Sequence, residues 1–398
     1  MYSLERILNQ IPLPFKRRPS GLEALAINYT ISQVASGMLV MFGVLFIYEL
    51  GESFNKGLLM VLGFFGLQRI VVGLVVPLVA KLISKTGYRW MMLIGLISLA
   101  LKAWFLMQVG QYSLWLLAPA MILGGVAIAS YYQGYYGIFL DDNDDDRIGE
   151  QMGLMTMVGR MALIISPLLA GFLVDEYGFS VMFGVAMSLL IISLGPLFLM
   201  QHHEHKASSF STKAVVKLFK KKKGFTASVF WWNIESGIQA FYWPIFLFLV
   251  VGSHIKFGAI ASIVMIFNSL AVYVSGKIYD KRPLRRGYPM ATGVVMVSYI
   301  LRFSAFSLLM VGAADSLNRI ASPFWWMKIR RRALLIGEKV RVTVFAATWE
   351  WAVTAGYLVS LIIGFFILRL TGGKWIWLAA PAIIGVLMSA ILVRKNEK

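Results

Sequence analysis

Cysteine is absent from the 398 residues, which excludes structural disulfides and thiolate metal sites. Histidine is nearly absent too, with four copies, three of them crowded at 202, 203 and 205. With no cysteine or suitably spaced carboxylate beside them, these three read as a solvated linker rather than as metal ligands. Acidic residues are few, 19 against 38 Lys and Arg, and they form one cluster, DDNDDDRIGE at 141–150. That cluster departs from the cation-binding patterns it most resembles. Taken as an EF-hand from Asp141, it has Asp146 at the glycine position and Met152 at the position of the ligating glutamate. Taken as an N-D-x-x-D-x-x-x-D pattern from Asn143, it has Arg147 where aspartate is needed. No G-x-x-x-x-G-K-[ST], H-E-x-x-H or G-x-S-x-G occurs. Also missing is a soluble region large enough for a nucleic-acid-binding domain, so the net charge of +19 does not point to DNA or RNA.

What the chain has instead is apolar length. Hydrophobic residues make up 59% of it and the mean hydropathy is +0.73, more than a soluble domain can bury. Twelve runs are long enough to cross a hydrocarbon core of about 30 Å at about 1.5 Å per residue. They span Leu25 to Tyr48, Gly57 to Ala80, Trp90 to Val109, Leu114 to Leu140, Met152 to Val174 and Val181 to Met200. After a polar break they resume at Phe225 to Val251, Phe257 to Ser275, Tyr288 to Val311, Ala313 to Trp326, Val342 to Leu368 and Trp375 to Val393. Basic residues collect in alternate gaps: 29 of the 38 fall on one side, and Lys56, Lys256, Arg369 and Lys374 fall on the other. Because cytoplasmic loops carry the excess of Lys and Arg, both termini are expected in the cytoplasm. The expectation is an all-α multi-pass protein of a bacterial-type plasma membrane, monomeric and without a cofactor. Residues 1–21 are too polar for a signal-peptide core, and Leu4, Ile7, Leu8 and Ile11 are spaced for a short surface helix.

The break at 201–224 divides the chain into a first half, 1–200, and a second half, 225–398, with six runs each. Its STKAVVKLFKKKK portion alternates apolar and basic residues at helical spacing and is expected to lie on the anionic inner leaflet. A repeat links the two halves. AKLISKTGYRWMML at 80–93 aligns with GKIYDKRPLRRGYPM at 276–290, and a base lies fifteen residues beyond each aligned glycine, Lys102 beyond Gly87 and Arg302 beyond Gly287. Two copies of one six-span unit account for this pattern.

At these residues the chain resembles the major facilitator superfamily of secondary transporters, whose loop motif between the second and third helices runs G-x-L-x-D-R-x-G-R-R. Gly276, Ile278, Asp280 and Lys281 fit its start, whereas Ala80 and Ser84 replace the glycine and aspartate in the first half. SPLLAGFLVDEYGFSVMF, with Pro167, Gly171, Gly178 and Phe183, is similar to the superfamily's fifth-helix proline and glycine motif. The resemblance implies two six-helix bundles that alternate access to a small solute. It also implies a central path lined by the first, fourth, seventh and tenth helices.

A small residue at Gly276 permits close helix approach, and Asp280 can cap a neighbouring helix or pair with an arginine, so the two loops can latch one conformation. Lys281, Lys85, Gly87 and Arg89 join that candidate gate, although bases there also serve to set topology. Inside the spans, Arg69, Lys102, Arg160, Arg302 and Arg319 face Glu235, Asp315 and Glu350. Each such charge costs about 2.5–3.5 kcal/mol on insertion scales and must face protein or water. Asp315 and Arg319 are spaced i,i+4 for a pair. Glu235 and Glu350 lie roughly 15 Å from their helix ends, near the midplane. Trp231, Glu235, Gln239 and Tyr242 share one face of the seventh run, Glu350 heads a polar stripe on the eleventh, and Tyr132, Gln133 and Tyr136 belong to a polar face on the fourth. These are the candidate substrate and coupling residues, with a proton as one candidate driving ion. Structural pairing of the glutamates, with Arg160 or Lys102, stays open beside coupling. The alternative function is a polytopic membrane enzyme that handles a lipid-linked substrate at the 141–150 loop.

Overall fold

The structure, a computed structural model, describes residues 21–110, 112–141, 148–200, 210–281, 287–337 and 340–395. The expected surface helix at 4–11, the histidine triplet and residues 142–147 of the acidic loop lie outside them.

Every regular element among the described residues is helical. The first part of the chain forms α1 (Gly21–Glu49), α2 (Phe54–Thr86), α3 (Tyr88–Val109) and α4 (Leu117–Asp141), the last entered through a 3-10 turn at Leu114–Leu116. The segment Ile148–Leu199 bends at Gly178 into α5 (148–177) and α6 (179–199). After the polar break come α7 (Thr212–Lys221), α8 (Lys223–Gly237), a π-helical turn (Ile238–Tyr242) and α9 (Trp243–Val251). The chain continues through α10 (His254–Lys281), α11 (Gly287–Ser304), α12 (Leu308–Gly337), α13 (Val342–Leu370) and α14 (Ala379–Lys395).

Sequence explains where these helices stop. Gly87 and Gly178 take almost the same conformation, φ 84° and 82°, which only glycine adopts without strain, and each turns one helix directly into the next. Many hydroxyls inside the helices donate to their own backbone, as in Thr30 to Ala26 O (2.7 Å) and Thr348 to Val344 O (2.7 Å), and so present no bare donor to an apolar surround.

Nine helical segments among the described residues are long and apolar enough to cross a bilayer. One of them, Met157–Leu199, carries two of the expected runs. Large apolar side chains face outward, for instance Leu74 (68% exposed) and Leu309 (84%), which suits hydrocarbon rather than water. The boundary expected between the ninth and tenth runs is corrected: α11 ends at Ser304, and Val311 is buried within α12. Ser307 sets that boundary, its Oγ accepting from Met310 N at 3.4 Å, a capping contact invisible to hydropathy. The basic amphipathic segment is helical as expected, but Val215 and Leu218 are buried against protein rather than turned to lipid. Phe219 meets Trp351 of α13, while Lys213, Lys217 and Lys220 stay exposed.

The packing joins elements from both sides of the polar break. α10 lies along α5 and α13 lies along α2. A Cβ at Gly258 would collide with the Pro167 carbonyl, and one at Gly171 with the His254 carbonyl, so these glycines let α5 and α10 touch backbone to backbone. Ser262 Oγ accepts from Leu168 N at 3.0 Å across the same seam. On the other seam, Trp351 Nε1 donates to Gly73 O at 3.0 Å and the Arg69 guanidinium sits 4.0 Å from the Tyr357 ring centre.

Candidate functional site

Between these seams lies a cavity of about 360 Å³ walled by α1, α4, α5, α8 to α10, α12 and α13. Its polar lining includes Gln33, Tyr132, Arg160, Glu235, Gln239 and Arg319, and its apolar lining includes Trp232, Trp243 and Trp326. The volume falls in the range typical of small-molecule sites.

A connected polar chain forms one wall. Glu235, 2% exposed, accepts from Tyr299 of α11 and from Ser236 Oγ (3.1 Å). With its amide turned to satisfy both ends, Gln239 donates to Glu235 Oε1 at 3.1 Å and accepts from Arg319 Nη2 at 2.9 Å. Arg319 Nε lies 3.6 Å from Asp315, the i,i+4 pair, but Asp315 is contacted more closely by Arg302 of α11, which is fully buried over the Trp243 ring. Asp315 therefore serves two arginines and sits behind the wall rather than in the cavity. Lys102, the counterpart of Arg302 in the repeat, donates to Gln68 Oε1 at 3.0 Å and pairs with neither glutamate.

The other members of the predicted site separate into two groups. Tyr132 lines the cavity, and Tyr136 hydrogen-bonds Arg330, which lines it too. Glu350 is buried among α2, α4 and α13, where Arg69, Tyr132 and Tyr136 act on it, and it is not part of the cavity lining. Trp231, Tyr242 and Gln133 lie outside the cavity lining. Gln133 is 1% exposed and donates to Val76 O and Ala129 O, both at 3.2 Å. The Trp231 backbone faces Gly385 of α14, so Trp232 takes the inward place. Tyr242 is fully buried and donates to Leu361 O. The π turn explains this last displacement. Pro244 has no N–H to give, the turn takes in one extra residue, and Trp243 and Pro244 reach the cavity where α-helical spacing would have put Tyr242.

One end of the molecule carries a cluster that the sequence reasoning missed. His254, at the start of α10, places Nε2 2.9 Å from Glu49 Oε1 at the end of α1 and Nδ1 2.9 Å from Asp175 Oδ1 on α5. Asp175 Oδ2 also accepts from Ile255 N (3.0 Å) and Ser253 Oγ (3.1 Å), capping α10. Phe248 lies tilted against the ring at 4.6 Å and Phe179 meets it edge-on at 5.3 Å. Both ring nitrogens face carboxylates, and only imidazolium can donate through both. Burial alone would lower the His254 pKa, but the hydrogen bonds and charges of Glu49 and Asp175 outweigh it and raise the value above that of free histidine. Burial raises the Asp175 carboxyl, yet the Ile255 N–H, His254 and Ser253 together hold it below the usual carboxylate range. Only a lone histidine beside an acid-poor sequence hinted at this cluster, since its three members lie far apart in the chain.

A family model for the Major Facilitator Superfamily matches residues 25–337. The chain belongs to the Major Facilitator Superfamily. It is a multi-pass integral membrane protein of the plasma membrane. Over 154 residues it is also 29% identical to a Cronobacter sakazakii protein named as multidrug resistance protein MdtD. That match covers 37% of this chain and 31% of the relative, so the chain spans about a third of the relative's length.

Within the superfamily frame, the loop-motif residues can be placed in part. Gly87 provides the positive-φ turn between α2 and α3, and Arg89 Nη2 donates to Phe198 O at 2.9 Å. Lys85 is exposed. The backbone of α10 runs through Gly276 and Asp280 to Lys281, but the side-chain surroundings of these three lie outside the described residues.

Proposed function

We propose that the chain is a secondary active transporter that moves a small organic solute by alternating access, with Glu235 as the proton-coupling site. The observation that carries this is the chain Tyr299–Glu235–Gln239–Arg319, which ties a buried carboxylate to a cation on the wall of a cavity reached by helices from both sides of the polar break. Protonation of Glu235 would remove its negative charge and weaken its hold on Gln239, loosening the chain to Arg319, so proton binding changes what the cavity offers a solute.

The chain works as twelve spans in two six-helix halves, with both termini and the 201–224 linker in the cytoplasm. The exposed lysines of α7 face anionic lipid there. In this orientation the Glu49–His254–Asp175 cluster lies on the external side and joins α1 and α5 of the first half to α10 of the second. It is the closed outer gate, and the loops at 81–89 and 276–287 serve the inner one through Asp280.

Glu235→Gln in proteoliposomes, assayed for pH-driven accumulation and for solute exchange, tests the coupling role. Glutamine imitates the protonated acid, so accumulation should be lost while exchange persists. Accumulation that is unchanged in a folded variant overturns the role of Glu235.

A further inference from the structure

The cavity has more positive charge than its own acids can balance. Arg160 of α5 and Arg319 and Arg330 of α12 all line it, and Glu235 is the one carboxylate among its lining residues. The three guanidinium groups are close enough for Arg160 to feel both of the others. Arg319 is held by Gln239 and Asp315, and Arg330 by Tyr136, whereas Arg160 has no acidic partner among the described residues. Like charges converging in a low-dielectric cavity repel unless an anion joins them, and guanidinium presents paired donors shaped for carboxylate, sulfonate or phosphate. Around them stand Tyr132, Trp232, Trp326 and Tyr357, flat apolar surfaces suited to a ring.

We infer that this cavity selects an organic anion with an aromatic or alicyclic body, and that it loads the anion together with a proton on Glu235. The inference rests on the transporter reading above and adds its substrate class. Its second part follows from geometry. The Glu235 carboxylate and a bound anion compete for the same cation, Arg319, through Gln239, so the anion is best held when Glu235 is neutral. By linkage, each ligand then strengthens the other. The groups facing Glu235 are Tyr299 and Arg302 from α11, Arg319 from α12, Tyr357 from α13, and Ser236 and Gln239 from its own segment. None of these is a second carboxylate that could take the proton in its place.

The experiment uses the full chain in phosphatidylcholine nanodiscs and three probes of one shape: 1-naphthalenesulfonate, 1-naphthylmethylammonium and 1-naphthylmethanol. Tryptophan quenching reads the affinity. The sulfonate should bind at least about tenfold tighter than the ammonium or the alcohol, and its affinity should fall as pH rises. Arg160→Gln should weaken the sulfonate by roughly tenfold and Arg160→Lys should restore part of it, while Glu235→Gln should abolish the pH dependence of the affinity. Replacing the lipid by phosphatidylglycerol should leave the affinity unchanged. Competition from that lipid, equal or better binding of the ammonium, no binding of any probe, or a pH-independent sulfonate affinity each overturns the inference. If the ammonium binds and is accumulated against a pH gradient, the transporter reading stands and the anion assignment falls.

Discussion

Asp315 illustrates how much one acid can carry. It is 2% exposed and shared by Arg302 and Arg319, so Asp315→Asn would leave Arg302, itself fully buried, without its counter-charge. Breaking a buried pair from one side costs about 3–5 kcal/mol, so this variant should show a clearly lower melting temperature in detergent, and an unchanged one would refute the pairing. Tyr242→Phe removes one buried hydrogen bond, to Leu361 O, and should cost about 1 kcal/mol while leaving transport rate intact. A large loss of transport with normal stability would return Tyr242 to the substrate path. At this scale the sequence was legible for charges and illegible for direction. Glu235 and Gln239 stood out because polar groups in apolar runs are rare and must face protein or water. Tyr242 falls outside the cavity lining because helical spacing assumes an unbroken helix, and the π turn before Pro244 rotates the remainder of the face.

Helix pairs are where glycine decides the packing. The α5–α10 seam depends on Gly171 and Gly258, each facing a carbonyl of the opposite helix. Gly258→Leu should push the seam apart at a cost of about 1–3 kcal/mol of strain, with transport falling further than stability if the proposed alternating access moves the two parts of the chain that this contact joins. Equal transport in Gly258→Leu and the parent protein would mean that the seam does not need close approach. The elements themselves were well marked by hydropathy, since every expected run except the ninth, which crosses the break after Ser304, falls on helix. Their ends were not, as Ser304 to Leu308 demonstrates: the break rests on a serine cap inside a stretch whose average hydropathy stays apolar. Likewise the α7 pattern specified an amphipathic helix but not its partner, because Val215 and Leu218 fit α13 or a lipid surface equally well as sequence.

For the whole molecule, the asymmetry of Lys and Arg gives a topology that reporter fusions can check: Lys85 and Lys221 should read as cytoplasmic, Lys56 and His254 as external. The Glu49–His254–Asp175 cluster was hidden from sequence because its three members meet only in three dimensions, whereas the loops at 81–89 and 276–287 carry a local motif. If the His254 cluster holds the external side shut, its titration sets how often that side opens. His254 has a raised pKa, so its contribution is full below the free-histidine value near 6.5 and is lost as pH rises through the raised value. Asp175 has a lowered pKa, so its contribution is present above the ordinary carboxylate value and is lost only as pH falls through the depressed one. The gate is therefore tightest in mildly acidic medium and loosens toward alkaline pH. The cluster is partly exposed, with Glu49 at 35%, so screening limits its worth to on the order of 1 kcal/mol, roughly a fivefold change in the open population. The absence of native cysteine makes this measurable without background. In a Ser36→Cys variant, whose thiol would line the cavity, labelling by a membrane-impermeant reagent added outside should speed up as pH rises through the raised His254 value. Adding His254→Asn should raise the rate at mildly acidic pH and flatten its pH dependence. A labelling rate that ignores both pH and His254→Asn would mean that the outer side is held shut by the α5–α10 seam alone.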